Sequence, residues 1–403
     1  MLLDLSPLRK HRDFRLLYAG QFVSAFGTLM TTVAVPVQVY ELTHSSFVVG
    51  MLGAAQLVPL LAFALWGGAY ADAMDRRRLL VASEIVMAFG SLALVLNSRL
   101  THPSVPLIFV VATAMAAVNG FHRPAMEAMT PRLVDPGELT AVAALGALRY
   151  SISAIVGPAL SGICIATLGY SATYIVDVAT FVASIVALAA MRSMPPVENP
   201  AQPGLRSILD GLRYARSRPE LVGTYVVDLV AMTFAMPMAL FPALASQWGD
   251  TAKAGWMFSA MSAGGLVTTV LSGWTSRVRR HGAAVVVAAA LWGVAIVGFG
   301  FAPGMWTALL CLAAAGAADM VSGLFRLTIW NETIPSSLRG RLAGVEMISY
   351  LSGPLLGSAR AGWMASVSSN RLSIVAGGVT CVLGVLLCIR LFPAFWHYRR
   401  AAR

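Results

Sequence analysis

The sequence predicts an all-α membrane protein: twelve transmembrane helices in two pseudo-symmetric six-helix halves, with both termini cytoplasmic. Three observations carry this expectation. The 403 residues are 58% hydrophobic and 12% charged, with a mean hydropathy of +0.74; a soluble domain carries roughly a quarter charged residues. Such a chain has too little polar surface to face water, so lipid is its solvent. Dividing its length by about 33, one spanning helix plus its connection, gives roughly twelve spans. Basic residues then fall overwhelmingly on one side of the threading, and the two halves repeat each other.

The spans read in order. The first covers about Phe14–Leu42 and the second Phe47–Ala71, joined by the polar turn Thr43-His44-Ser45-Ser46. The third runs from Leu79 to about Asn97 and the fourth from Val105 to Met126. The loop Thr130–Glu138 carries Pro131, Pro136 and Gly137, which break the helix. Spans five and six follow at Leu139–Leu168 and Tyr170–Met191. The proline-rich run Met194–Gly204 is a linker, and Leu205–Arg218 has the apolar face of a short helix lying on the membrane surface. This divides the chain into an amino-terminal half (1–192), a cytoplasmic linker (193–219) and a carboxy-terminal half (220–403). Spans seven to twelve are expected near Glu220–Ala245, Ala254–Ser276, Ala283–Phe301, Met305–Ile334, Leu342–Val367 and Leu372–Phe395.

With the amino terminus inside, 21 of the 29 lysines and arginines lie in the termini and inside loops. Only Arg99, Lys253 and Arg371 lie in outside loops. The positive-inside bias therefore places both termini in the cytoplasm. It also accounts for the net charge of +11, and no aromatic-interleaved basic stripe points to nucleic acid. The four cysteines, Cys164, Cys311, Cys381 and Cys388, lie within apolar runs and read as packing residues. No cleavable leader is evident ahead of the first span, which is expected to remain. No Gly-rich loop ends in Lys-Ser/Thr, so ATP is not expected as the driver. Neither a cofactor nor a metal is called for, and no enzyme-like nucleophile-base constellation appears.

The halves share landmarks. Val35-Pro36 corresponds to Phe241-Pro242, Gly50 and Gly68 to Gly255 and Gly273, and Gly157-Pro158 to Gly353-Pro354. Two similar halves about an inside linker suggest rocking around a central site.

Charged residues within spans are costly, at least roughly 2.5–3.5 kcal/mol each, so each needs a partner or a task. Arg149, Asp177, Asp228, Asp319, Arg326 and Glu346 are of this kind. Asp319 and Arg326 share a face but stand about 10 Å apart along the axis. That separation argues against simple neutralisation and makes Glu346 the expected partner of Arg326.

The connection Gly68-Ala69-Tyr70-Ala71-Asp72 followed by Asp75-Arg76-Arg77-Arg78 resembles the signature of the major facilitator superfamily between its second and third helices. Ala73 and Asp75 stand where the family usually has arginine and glycine. Ser153–Gly162, containing Gly157, Pro158 and Gly162, resembles the family's antiporter motif, with serines at 153 and 161 replacing glycines. Pro124–Val134 and Pro335–Arg341 are similar to segments of the enterobactin-exporter and drug-efflux branch. The resemblance covers essentially the whole chain.

It implies that Asp72 meets a helix amino terminus in one state of a gate, with Arg76–Arg78 pairing with acids such as Asp75 and Glu127. It implies that Gly157-Pro158 seals against ion leak. It also places spans one, four, seven and ten around a cavity. Asp228 and Asp319 then become proton-carrier candidates, and Gln21, Gln38, Asn119 and Arg123 substrate contacts. The function expected is export of a small amphipathic or hydrophobic molecule by proton antiport, by a monomer in the bacterial inner (cytoplasmic) membrane. An importer or uniporter of the same fold is the alternative, and a membrane sensor a more distant one.

Overall fold

A computed structural model describes residues 4–194, 213–335 and 339–399, with side chains except at 65–73, 339–341 and 343–349. Among the described residues the regular structure is entirely helical. Nine helices among the described residues are long and apolar enough to cross a membrane. Their outer faces carry apolar side chains such as Val58, Phe89, Leu310 and Trp306, each at least 66% exposed. Their interiors hold Glu84, Asp177, Asp228 and Arg326, each at most 8% exposed. Apolar outside and charged inside is the arrangement that lipid favours. The chain is a multi-pass membrane protein.

Two compact units divide the chain. The first comprises Met1–Leu42 with Ala55–Gln202. It contains α1 (Ser6–Lys10), α2 (Arg12–Thr43), most of α3 (Ser46–Ala73), α4 (Arg76–Ser98), α5 (Val105–Met129) and α6 (Leu139–Ala189). Proline-bearing 3-10 turns, Thr130–Leu133 and Pro136–Glu138, join α5 to α6 as the loop signals predict. A core of Leu17, Leu80, Ala125, Met129 and Leu188 ties α2, α4, α5 and α6 together. The expected boundary between spans five and six falls inside α6. Its one non-helical residue is Gly169, at φ 80° and ψ 177°. That region of backbone space is essentially closed to side-chain-bearing residues.

The second unit comprises Thr43–Ala54 with Pro203–Arg403. Its helices are α7 (Pro219–Ala235), α8 (Phe241–Gln247), α9 (Ala254–Val270), α10 (His281–Gly300), α11 (Met305–Thr333), α12 (Arg339–Val367), α13 (Asn370–Leu391) and α14 (Pro393–Trp396). The expected seventh span, Glu220–Ala245, is interrupted. Pro237 pushes Met236 out of helical geometry, and a 3-10 turn precedes α8. Pro393 likewise ends the expected twelfth span at Leu391. The eighth gives way to a 3-10 turn at Ser272–Arg277. Glycines set the approach of α9 to α11: a Cβ at Gly264 would lie 2.9 Å from the Cα of Ala313, and one at Gly316 2.7 Å from the carbonyl carbon of Met261. The surface helix expected at Leu205–Arg218 lies largely outside the described residues. At its described end Tyr214 donates to the Thr333 carbonyl at 2.9 Å.

Two glycines of α6 separate backbone strain from helix propensity. A Cβ at either Gly169 or Gly146 meets nothing within 4 Å. Gly169→Ala is expected to destabilise by about 1–3 kcal/mol through strain alone. Gly146→Ala, in helical backbone, should stabilise by up to about 1 kcal/mol. Thermal unfolding of the purified protein in detergent reads both.

Candidate functional site

Buried polar side chains in each unit are placed by helical periodicity. In the second unit, Thr224 and Asp228 sit four apart on α7, and Arg326 and Trp330 four apart on α11. Trp330 Nε1 donates to Thr224 Oγ1 at 2.8 Å, and Arg326 Nη1 pairs with Asp228 Oδ1. Moving four residues up one helix moves four down the other, so two antiparallel helices are held in one register. Asp319 Oδ1 stands 3.8 Å from Arg326 Nη2.

The guanidinium thus lies between two carboxylates, which corrects the expectation that spacing keeps Arg326 from Asp319. Helical side chains lean toward the amino terminus, and a long one spans much of the two-turn separation. Gly323 leaves the path open, since a Cβ there would meet only Arg326 Nη2, at 3.9 Å. Asp228 is 4% exposed, whereas the Asp319 side chain is 43% exposed. One acid is sequestered and the other accessible. Glu346, the partner expected for Arg326, has its side chain outside the described residues.

In the first unit, α4 and α6 carry a second antiparallel ladder. Ser184 Oγ donates to Glu84 Oε1 at 2.9 Å, and Ser91 Oγ to Asp177 Oδ2 at 2.6 Å, seven residues on along α4 and seven back along α6. From α2, Gln21 Nε2 donates to Glu84 Oε1 and Thr31 Oγ1 to Asp177 Oδ2 at 2.6 Å. His122 Nε2, on α5, lies 3.4 Å from Glu84 Oε1. Tyr174 Oη donates to Gln38 Oε1 at 2.7 Å. Gln21 and Gln38 therefore bond inside the helix bundle. Sequence reasoning missed Glu84 and His122. The signal was present, because Glu84 is an acid within an apolar span, as Asp177 is.

A profile for the transmembrane secretion effector family of the major facilitator superfamily matches residues 3–396. The chain belongs to this superfamily. It is 28% identical to the enterobactin exporter EntS of Shigella boydii serotype 4 over 397 residues, covering 97% of this chain and 94% of that one. EntS of Escherichia coli K12 is also 28% identical, with 99% and 96% covered. In fold it is similar to the crystal structure of a POT family transporter in complex with 5-aminolevulinic acid, at TM-score 0.75 and 10% identity, covering 96% and 97% of the two chains. As a member of the major facilitator superfamily the chain is a transporter of small molecules, not an enzyme.

The superfamily signature is partly described. Gly68 lies in the helical backbone of α3, and the side chain of Asp72 lies outside the described residues. Asp75 caps α4, accepting from the backbone amides of Arg77 at 2.9 Å and Arg78 at 3.3 Å. Arg76 Nη1 donates to the Ala128 carbonyl at the end of α5, at 2.8 Å. Arg77 donates from Nε to Leu188 O at 2.7 Å and from Nη2 to Ala189 O at 2.5 Å, at the end of α6. Cations at helix carboxy termini satisfy orphan carbonyls and oppose the helix dipole. The basic run therefore clamps its own unit.

The segment Ser153–Gly162, which resembles the antiporter motif, packs α6 onto α2. A Cβ at Gly157 would lie 2.9 Å from Leu29 Cβ, Ser161 Oγ donates to Met30 O at 2.8 Å, and Gly162 is buried. The backbone stays helical through Pro158. Arg149 reaches Met126 Sδ at 3.8 Å. Arg123 pairs with Glu127 one turn on, at 3.3 Å, and Asn119 is exposed on the same helix.

Donor atoms of His11, Asp135 and Glu138 lie within 4.8 Å of one another. Lys10 Nζ already occupies Glu138 at 2.8 Å, and this bond raises the Lys10 pKa. A bound ammonium competes with any metal cation there.

The clamp predicts unequal effects from adjacent arginines. Arg77→Ala should cost about 1.5–3 kcal/mol, the range for hydrogen bonds to a charged group. Arg78→Ala, with an exposed side chain, should fall within about 0.5 kcal/mol of wild type. Thermal unfolding in detergent distinguishes them.

Proposed function

We propose that this transporter exports a small amphipathic or hydrophobic molecule from a bacterial cytoplasm by proton antiport with alternating access. The observation that carries the coupling is Arg326 held between Asp228 and Asp319. With both acids ionised the three groups sum to one negative charge; with one protonated they are neutral. An uncompensated charge resists the dehydration that accompanies closure of a site, and one proton removes it. Asp319, the accessible acid, takes the proton, while Asp228 keeps Arg326 in place. Export is supported by the secretion family and by relatives named as enterobactin exporters. A siderophore is accordingly the first substrate class to test, before drugs and secondary metabolites.

We read twelve crossings. The long helix α6 breaks at Gly169 and contributes two, and α9, at 17 residues, and α12 join the nine apolar helices to complete the set. In this reading the residues group as two six-helix halves, 1–192 and 220–403, about a cytoplasmic linker. The protein acts as a monomer in the inner membrane with both termini cytoplasmic. Asp72 serves as a one-sided latch, since its counterpart in the second half is Arg277.

Inside-out vesicles carrying the purified transporter test this. Interior acidification should drive uptake of enterobactin or another candidate substrate. Asp319→Asn should abolish ΔpH-driven accumulation while retaining downhill exchange. Asp228→Asn should also lose stability, by less than the about 3–5 kcal/mol of a stranded buried cation, because Asp319 still faces Arg326 at 3.8 Å. Undiminished ΔpH-driven uptake by the Asp228→Asn/Asp319→Asn protein would remove the coupling assignment. Substrate equilibration that ignores ΔpH, with no uphill accumulation by the wild type, would favour a uniporter.

A further inference from the structure

The second unit carries a groove, about 500 Å³ in volume, formed by α10, α11 and the Ser272–Arg277 turn. Its floor is made of small side chains: Ala283, Ala284 and Ala288 on α10, and Ala318 on α11. These recur at helical spacing, so a trough follows the helix axis. Its rim includes Trp274, Val287 and Leu291, which are 44%, 51% and 55% exposed. The trough therefore opens outward.

Its polarity is confined to one end. Arg280 is the charged side chain among the described lining residues, and it stands at the amino terminus of α10. Arg277 and Arg279 are exposed beside it. Trp274 lies tilted at 60° against Phe325, 6.1 Å between ring centres, at the same end. Tryptophan and arginine together mark the interfacial depth of a membrane protein.

Length decides what fits. From Arg280 to Leu291 the trough follows eleven residues of helix, about 16 Å. Half of a hydrocarbon core of about 30 Å is one leaflet. The groove thus matches the depth of one leaflet, apolar along its length and cationic at one end.

We propose that this groove binds one anionic phospholipid, with an acyl chain along α10 and its phosphate held by Arg280, Arg277 and Arg279. The assignment rests on membrane embedding alone and is independent of the export reading.

Native mass spectrometry of the full-length transporter in detergent, with equimolar phosphatidylglycerol and phosphatidylcholine, tests it. The wild type should retain one phosphatidylglycerol preferentially, and excess inorganic phosphate should not displace it. Replacing Arg277, Arg279 and Arg280 with Gln should reduce that preference by at least about tenfold. Ala284→Trp should reduce retention of both lipids by filling the trough. Val287→Trp, placing bulk from the exposed rim, does the same without entering the core. The melting temperature of each variant reports whether it is folded. Equal retention by wild type and both groove-filling variants would overturn the site, leaving general surface attraction. So would an unchanged lipid preference in the triple arginine variant, or displacement by inorganic phosphate alone.

Discussion

Hydrocarbon cannot hydrogen-bond, and this constraint orders the structure. Each polar group within a span must find its partner inside the protein. The helices answer with side chains at four- and seven-residue spacing, so that one face of each offers donors or acceptors at repeated depth. Ser91 and Glu84 on α4 meet Asp177 and Ser184 on α6; Thr224 and Asp228 on α7 meet Trp330 and Arg326 on α11. In these ladders polar pairs set register, a task that apolar contacts against an apolar solvent perform less specifically.

The same logic explains the basic run after α3. Its arginines sit where the bilayer gives way to cytoplasm in our reading, and they reach back to carbonyls at the ends of α5 and α6. A topology anchor and a structural clamp are therefore one set of side chains. Asp75 completes the arrangement by capping the helix from which those arginines project. The family's usual glycine at that position could not cap through a side chain, so the departure from the signature has a local physical reason.

Arg326 differs in kind from these hydroxyl and amide ladders. It faces two acids of unequal exposure, and three charges there cannot sum to zero unless one acid takes a proton. The buried carboxylates of the first unit instead accept from neutral hydroxyl and amide donors, with His122 beside Glu84. Both units are stabilised by polar contacts, and in the second unit one buried guanidinium faces two carboxylates of unequal exposure.

By itself the sequence determined the membrane class, the helical architecture, the family resemblance and the break at Gly169. Each follows from composition, run length or a residue with special backbone geometry. It also named Asp177, Asp228, Asp319 and Arg326, because an ionisable group in an apolar span is conspicuous. Tertiary structure decided the partners. Asp228 and Arg326 are 98 positions apart in the chain, and their meeting depends on how α7 packs on α11. Arg326 and Asp319 meet because a side chain has length and direction that axial spacing ignores. Helical periodicity tells which residues share a face. Only packing tells what that face meets.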